Sequence, residues 1–178
     1  MKTLVIVSHP YPEQSKAIKT LEAAVKDLPQ VTVRNLESLY GSNTSGFDVA
    51  AEQAAYEGVD RVVYMFPVHW FNLTPMLKAY LNEVWTYGWA FGPNGKALQG
   101  KEMLVVTTTG ASEFTYSAAG LVQSTIEEVL TPMKASALYV GMQYGSPLAM
   151  YEAMNASDEQ VSQFRQRLSE HLSTAIAA

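Results

Sequence analysis

Apolar positions along the chain alternate between two kinds of run. Residues 3 to 7, TLVIV, are β-branched without polar alternation, the pattern of a strand buried on both faces of a parallel sheet. The polar, proline-bearing stretch SHPYPEQS follows. Ser15 then stands as a helix cap, and Ile18, Leu21, Val25 and Leu28 recur at spacings of three and four to form one apolar stripe. The unit repeats. VTVRNL (31–36) predicts a strand, ESLYGSNTSGF a loop, and Asp48 caps the Ala-rich helix VAAEQAAYEG. DRVVYMF (60–66) predicts a third strand, and Thr74 with Pro75 opens a helix whose apolar face is Met76, Leu77, Tyr80, Leu81, Val84 and Trp85. KEMLVVTTT (101–109) predicts a fourth strand. Leu121, Val122, Thr125, Ile126, Val129 and Leu130 mark a fourth helix, SALYVGM (136–142) a fifth strand, and Val161, Phe164, Leu168 and Leu172 a closing helix.

Strands that alternate with helices imply an α/β fold, because parallel strands need crossover helices and those crossovers are right-handed. The expected fold is one doubly wound domain over residues 1–178, a five-stranded parallel sheet of order 2-1-3-4-5 with helices on both faces. In that order a ligand crevice lies at the carboxyl ends of strands 1, 3 and 4, here segments 8–15, 67–74 and 108–116.

Composition narrows the function. The 178 residues are 48% hydrophobic and 16% charged, enough for one well-buried core. A net charge of -5 without a basic run argues against nucleic acid and anionic membranes as partners. Cysteine is absent and the histidines at 9, 69 and 171 have no short ligand spacing, so no metal site is expected. The apolar run near the N-terminus is too short for a signal peptide or a membrane span, which makes the cytoplasm the expected location and membrane insertion unexpected.

The three loops carry the candidate chemistry. SHPYPEQSKA lacks the glycine patterns of dinucleotide and triphosphate loops, yet His9, Ser15 and the helix start can hold one phosphate. Ser15 could equally be a plain cap. FPVHWFNLTP places Trp70 and Phe71 at the crevice rim, where they either cover a planar heteroaromatic ring or plug the top of the core. TTTGASEFTYS offers the hydroxyls of Thr108 and Thr109, the permissive Gly110, and Tyr116 as a donor. His69 reads as a partner of neighbouring backbone and His171 as a solvated helix residue. The Met-rich stretch MQYGSPLAMYEAM (142–154) serves either as a gate or as core filler. YGWAFGPNGKALQG (87–100), with Tyr87, Trp89 and Phe91, is too apolar for a free loop and marks an interaction surface or a segment folded onto the core.

SHPYPEQS, PVHWFNLTPMLKAYLNEVWTYGWAFG and TTTGASEFTYS, in that order, resemble the flavodoxin-like NAD(P)H:quinone oxidoreductases, above all their short bacterial members. The resemblance implies non-covalent FMN, with FAD as the alternative, and a homodimer with active sites at the subunit interface. It also implies two-electron reduction of a quinone or similar electrophile by NAD(P)H in alternation. Under it, His9, Ser15 and Ala17 lie along the flavin phosphate and ribityl chain. Pro67, Val68, His69, Trp70 and Phe71 belong to the isoalloxazine wall, Thr108, Thr109 and Gly110 to the pyrimidine side, and Tyr116 stabilises charge on the reduced ring. Larger members pair that tyrosine with a histidine six residues on; here the position is Val122. Segment 87–100 falls at the dimer interface and active-site wall. Two other readings remain: a flavin-binding regulatory subunit of a potassium efflux transporter, and a non-enzymatic electron-transfer flavodoxin.

Overall fold

The structure, a computed structural model, describes residues 1–173; residues 174–178, the end of the expected domain span, lie outside the described residues. The strands are β1 (Thr3–Val7), β2 (Val31–Asn35), β3 (Arg61–Pro67), β4 (Glu102–Thr108), β5 (Gln143–Tyr144) and β6 (Leu148–Met150). They form one sheet in the order β2-β1-β3-β4-β5, with β6 pairing β4 beyond β5, and every pairing is parallel. All residues of β1, β3 and β4 are buried, as their unbroken apolar runs require.

Side-chain alternation sends the strands' contacts to two faces. Val5, Val7, Val63, Met65, Leu104 and Val106 meet α1 (Lys16–Lys26) and α7 (Asp158–Ser173). Leu4, Ile6, Tyr64, Phe66 and Val105 meet the helices of the other face: α2 (Leu36–Tyr40), α3 (Val49–Ala54), α4 (Pro75–Val84), α5 (Ile126–Val129) and α6 (Thr131–Tyr139). The expected doubly wound sheet with helices on both faces is observed.

Three local expectations fail for identifiable reasons. The segment 136–142 is not a strand: α6 runs through it because Pro132 starts a helix and Met133, Ala137 and Val140 bury one side at helical spacing. Leu138 and Tyr139 face solvent, and Gly141, at φ +77°, ends the turn. The sheet's fifth position is shared instead by the two short strands that follow. Residues 121–125 are not helical either. Leu121 is 91% exposed, and helix begins only after Thr125, whose capping box with Glu128 fixes the start. Finally, residues 37–40, expected as loop, form α2 together with Leu36, expected as the end of the strand, because the Asn35 side chain accepts from the Ser38 amide.

A polar network sits inside this apolar frame. Glu52 is fully buried and takes a bidentate contact from Arg34, at 2.7 Å from Nε and 2.5 Å from Nη2. The hydroxyls of Tyr40 and Tyr80 also donate to it. The Tyr80 and Tyr56 hydroxyls lie 3.3 Å apart, and Tyr56 pairs with Tyr64 at 2.9 Å. Burial pushes the phenols of Tyr56, Tyr64 and Tyr80 up, so they act as neutral donors.

Removing one partner of a buried pair leaves the other charge uncompensated. Arg34→Met is expected to destabilise the fold by about 3 kcal/mol in urea unfolding, and the double variant Arg34→Met/Glu52→Leu to recover a large part of that loss. Equal destabilisation by both variants would contradict this assignment.

Candidate active site

Register brings the three candidate loops together. Val7 lies beside Met65 and Pro67 beside Thr108. The loops then continue the ladder for one step: the Ser8 amide donates to Met65 at 3.0 Å, Val68 to Thr108 at 2.9 Å, and Thr109 to Met150 at 2.9 Å. From β1 the chain crosses to the face of α1, and from neighbouring β3 to the face of α4. The carboxyl ends of β1 and β3 are therefore left uncovered, the topological switch point of the sheet.

The loop after β3 is a tight hairpin. His69 and Asn72 exchange both backbone hydrogen bonds, at 3.1 and 3.0 Å, which leaves Trp70 and Phe71 at the tip. Both tip residues have positive φ, 47° and 60°, the signature of a type I′ turn that normally carries Asn-Gly. A bulky residue there costs on the order of 1–2 kcal/mol. Burial does not offset the cost at Trp70, which is 93% exposed, and offsets it only in part at Phe71, which is 47% exposed.

The first loop is held by short contacts. Ser15 caps α1 by accepting from the Ile18 amide at 3.2 Å, and Ala17 is buried in the first turn. That helix start presents backbone amides and the positive end of the helix dipole. His9 accepts the Tyr11 amide at Nδ1 (3.0 Å), which assigns the ring proton to Nε2. Burial, and secondarily the facing His69, hold the His9 imidazole below its ordinary pKa. The His9 and His69 rings lie edge to face with centroids 6.2 Å apart, and Tyr11 lies 6.4 Å from His69. His69 thus uses its backbone in the hairpin and its ring against the first loop, rather than the ring-to-backbone hydrogen bond expected of it.

Beneath these loops runs a directed chain. Thr74 Oγ1 caps α4 by accepting from the Leu77 amide at 3.2 Å and pairs with Ser8 Oγ at 2.5 Å, while Ser8 Oγ donates to Glu37 Oε1 at 2.8 Å. The Thr74 hydroxyl proton therefore points to Ser8. Burial pushes the Glu37 carboxyl up in spite of the Ser8 hydroxyl. On this side a cleft of about 440 Å³ opens, with Tyr11, Glu37, Thr44 and Met76 among its walls.

The third loop completes the crevice. Thr108 and Thr109 are buried, and Thr109 Oγ1 donates to the Ala111 carbonyl at 2.8 Å. A Cβ built at Gly110 would meet only Met154 Sδ, at 3.7 Å, so the backbone there is open to close approach. Tyr116, in a short 3-10 turn, is 8% exposed and packs 6.1 Å from both Phe71 and Tyr151. Burial pushes its phenol up, which keeps the hydroxyl a donor.

A sequence profile of the flavodoxin-like fold family matches residues 1–172. The chain belongs to that family. An NAD(P)H oxidoreductase of Bacillus subtilis, YdeQ, is 39% identical over 172 residues, covering 97% of this chain and 86% of its own length. The ancillary protein of a glutathione-regulated potassium-efflux system from Klebsiella aerogenes is 37% identical over 169 residues, 93% of each chain. A solved structure of general stress protein 14 from Treponema denticola, in complex with FMN, superposes with a TM-score of 0.86 at 36% identity, covering 97% of both chains.

Within this flavodoxin-like frame the three loops meet as expected, and three features depart from expectation. Tyr151 joins the cluster unannounced; once β6 ends at Met150, it is the first residue of that strand's loop. His171 is not solvated but half-buried, and burial with the nearby Arg61 guanidinium lowers its pKa. The Met-rich stretch divides its roles: Met142 and Met150 are core, and Met154 is 88% exposed. If the hairpin tip is strained for a purpose other than folding, Trp70→Asn should raise stability by about 0.5–1 kcal/mol in urea unfolding. A loss of stability would show that the indole serves the fold.

Proposed function

We propose that this protein is an FMN-dependent NAD(P)H oxidoreductase that passes two electrons to a quinone or a similar electrophile, with NAD(P)H and acceptor using one face in turn. The observation that carries the reading is the strained aromatic hairpin at the switch point, whose Phe71 packs against Tyr116 and whose leading Val68 bonds the Thr108 carbonyl. Family membership and the FMN-containing relative support it.

The residues fit such a group. A planar ring needs a wall that approaches by backbone and aromatic edges, and the hairpin tip with Pro67 and Val68 offers one, while Gly110 on the third loop leaves its backbone open to close approach. A phosphate needs hydrogen-bond donors, and the Ser15-capped start of α1 and the Nε2–H of His9, both on the first loop, offer those, while the nearby Glu13 and Asp158 carboxylates are paired with Lys19 and Lys16. A bound flavin would supply the hydride chemistry, accepting from the nicotinamide and giving to the acceptor. The chain's own task is to position and to stabilise charge. Tyr116, kept protonated by burial, donates toward negative charge that develops on the ring, a fixed donor in a largely dry wall. Val122 stands where larger members carry a histidine, and its amide donates to Thr115, so Tyr116 acts without that partner.

A homodimer completes the reading. Within one chain, segment 87–100 joins the end of α4 to the start of β4, the opposite end of the sheet from the crevice. Trp89 packs on Tyr56 and Leu98 is fully buried, yet Tyr87 stays 71% exposed. Such a segment can wall a crevice only in a second copy. The exposed Trp70, Phe114, Leu121 and Met154 around the rim give that copy an apolar seat. We further infer a single domain over the whole chain. A regulatory role beside a potassium efflux transporter is the second reading, favoured by the Klebsiella relative; co-purification with a membrane transport protein would distinguish it.

The released cofactor's mass and spectrum test the flavin and separate FMN from FAD. Steady NAD(P)H oxidation with menadione, above that of free FMN, tests the enzyme, and its absence overturns this reading. Tyr116→Phe is expected to lower kcat about tenfold or more. Trp70→Asn should weaken FMN retention roughly tenfold, one lost aromatic contact, even though it stabilises the apoprotein.

A further inference from the structure

We propose that Met154 is a redox-sensitive wall of the crevice: hydrogen peroxide converts its thioether to the sulfoxide, and the sulfoxide weakens flavin retention. The inference rests on the flavin reading for its ligand, and on exposure and placement for the residue modified.

Sulfur chemistry in this chain is confined to methionine, since cysteine is absent. Thioether oxidation follows access. Met65, Met103 and Met133 are fully buried, and Met76, Met142 and Met150 are at most 5% exposed. Met1, at 53%, and Met154, at 88%, are the two open to peroxide. They lie at opposite ends of the sheet. Met1 precedes β1 and shares a pocket wall with Glu102 at the start of β4, whereas Met154 follows the carboxyl end of β6. One exposed thioether is remote from the crevice and the other stands at it.

The backbone places Met154 beside the third loop. The Thr109 amide donates to the Met150 carbonyl at 2.9 Å, the Glu152 amide to the Ala111 carbonyl at 3.1 Å, and the Ala153 amide to the Thr109 carbonyl at 2.9 Å. These bonds bracket Gly110. Glu152 adopts φ 53°, a left-handed conformation uncommon for a residue with a side chain, and the Asn155 amide closes the turn on its carbonyl at 3.0 Å. The turn delivers Met154 Sδ to 3.7 Å from the point where a Cβ on Gly110 would stand. The sulfur therefore borders the space that the glycine leaves open to a ligand.

What the sulfur does there depends on its oxidation state. A thioether is soft, apolar and adaptable, and it packs favourably against an aromatic ring. Peroxide transfers one oxygen atom to it: the O–O bond breaks, a sulfur–oxygen bond forms, the sulfur loses two electrons, and the second peroxide oxygen leaves as water with both protons. The product is larger and polar, an acceptor with no proton to give. Seating a planar ring against it strips water from that oxygen, which costs affinity.

The test treats full-length protein with graded hydrogen peroxide, maps it by peptide mass spectrometry, and titrates it with FMN by fluorescence quenching. Met154 is expected to gain its oxygen at least as fast as Met1 and about tenfold or more faster than Met150. FMN affinity should fall roughly fivefold in step with Met154 oxidation and recover on treatment with methionine sulfoxide reductase. Met154→Gln, polar and of similar length, should show the same loss without peroxide. Met154→Leu should show no change in FMN affinity as Met1 is oxidised. Protection of Met154 in the assembled protein, its oxidation without loss of FMN affinity, or an equal peroxide effect in Met154→Leu would each overturn the proposal while the flavin reading stands. If untreated protein binds no FMN, the flavin reading falls and takes this one with it.

Discussion

A parallel sheet buried on both faces must send each crossover to one side or the other, and here the two central strands choose opposite sides. The rest of the molecule follows from that divergence. The chain leaves β1 toward α1 and leaves β3 toward α4, so between these adjacent strand ends sheet backbone approaches the surface without a helix above it. Any residue type placed in the first turns after β1, β3 and β4 arrives at the same spot. The fold thereby separates the duties of sequence: the strands need only be apolar, and the loops are free to carry groups the core would reject.

The two charged side chains that are fully buried, Glu52 and Arg61, are matched with care. Glu52 meets a bidentate guanidinium and two phenols, and Arg61 meets Glu102 at 2.6 Å and the Leu172 carbonyl at 2.6 Å. Each arrangement joins elements distant in sequence, β2 to α3 and α4 in the first, β3 to β4 and α7 in the second. Apolar packing tolerates small slips between such elements, whereas charge pairs of this kind fix their relative register. Loop ends that must meet within a hydrogen-bond length benefit from that rigidity.

How much of this was legible in the chain depended on whether local pattern and tertiary outcome agreed. TLVIV, DRVVYMF and KEMLVVTTT gave the central strands to within a residue or two, because a double-sided burial leaves no polar alternation to confuse. Ser15, Asp48 and Thr74 were legible as caps, and each side chain accepts from the amide three residues on. ALYV misled, since a short apolar run fits a strand and a helix equally; only Pro132 upstream distinguished them. That error hid Tyr151, which belongs to a strand end two turns later. The hairpin of residues 69–72 could not have been inferred, because Trp-Phe is among the least turn-like pairs and no rule of turn chemistry selects it. His171 was misjudged because its helix reads polar on that side, while the Arg61 that approaches it comes from another element.

The directed chain from Leu77 through Thr74 and Ser8 to Glu37 has a consequence for motion. Thr74 is at once the cap of α4 and the link from the loop after β3 to Ser8 at the end of β1, which in turn holds Glu37 beyond β2, so the loops are tied to the first turn of that helix. Opening the crevice and fraying the helix become one event. The exchange of a single backbone hydrogen, on the amide of Leu77, would then record how often the crevice breathes, from a position that no ligand needs to touch.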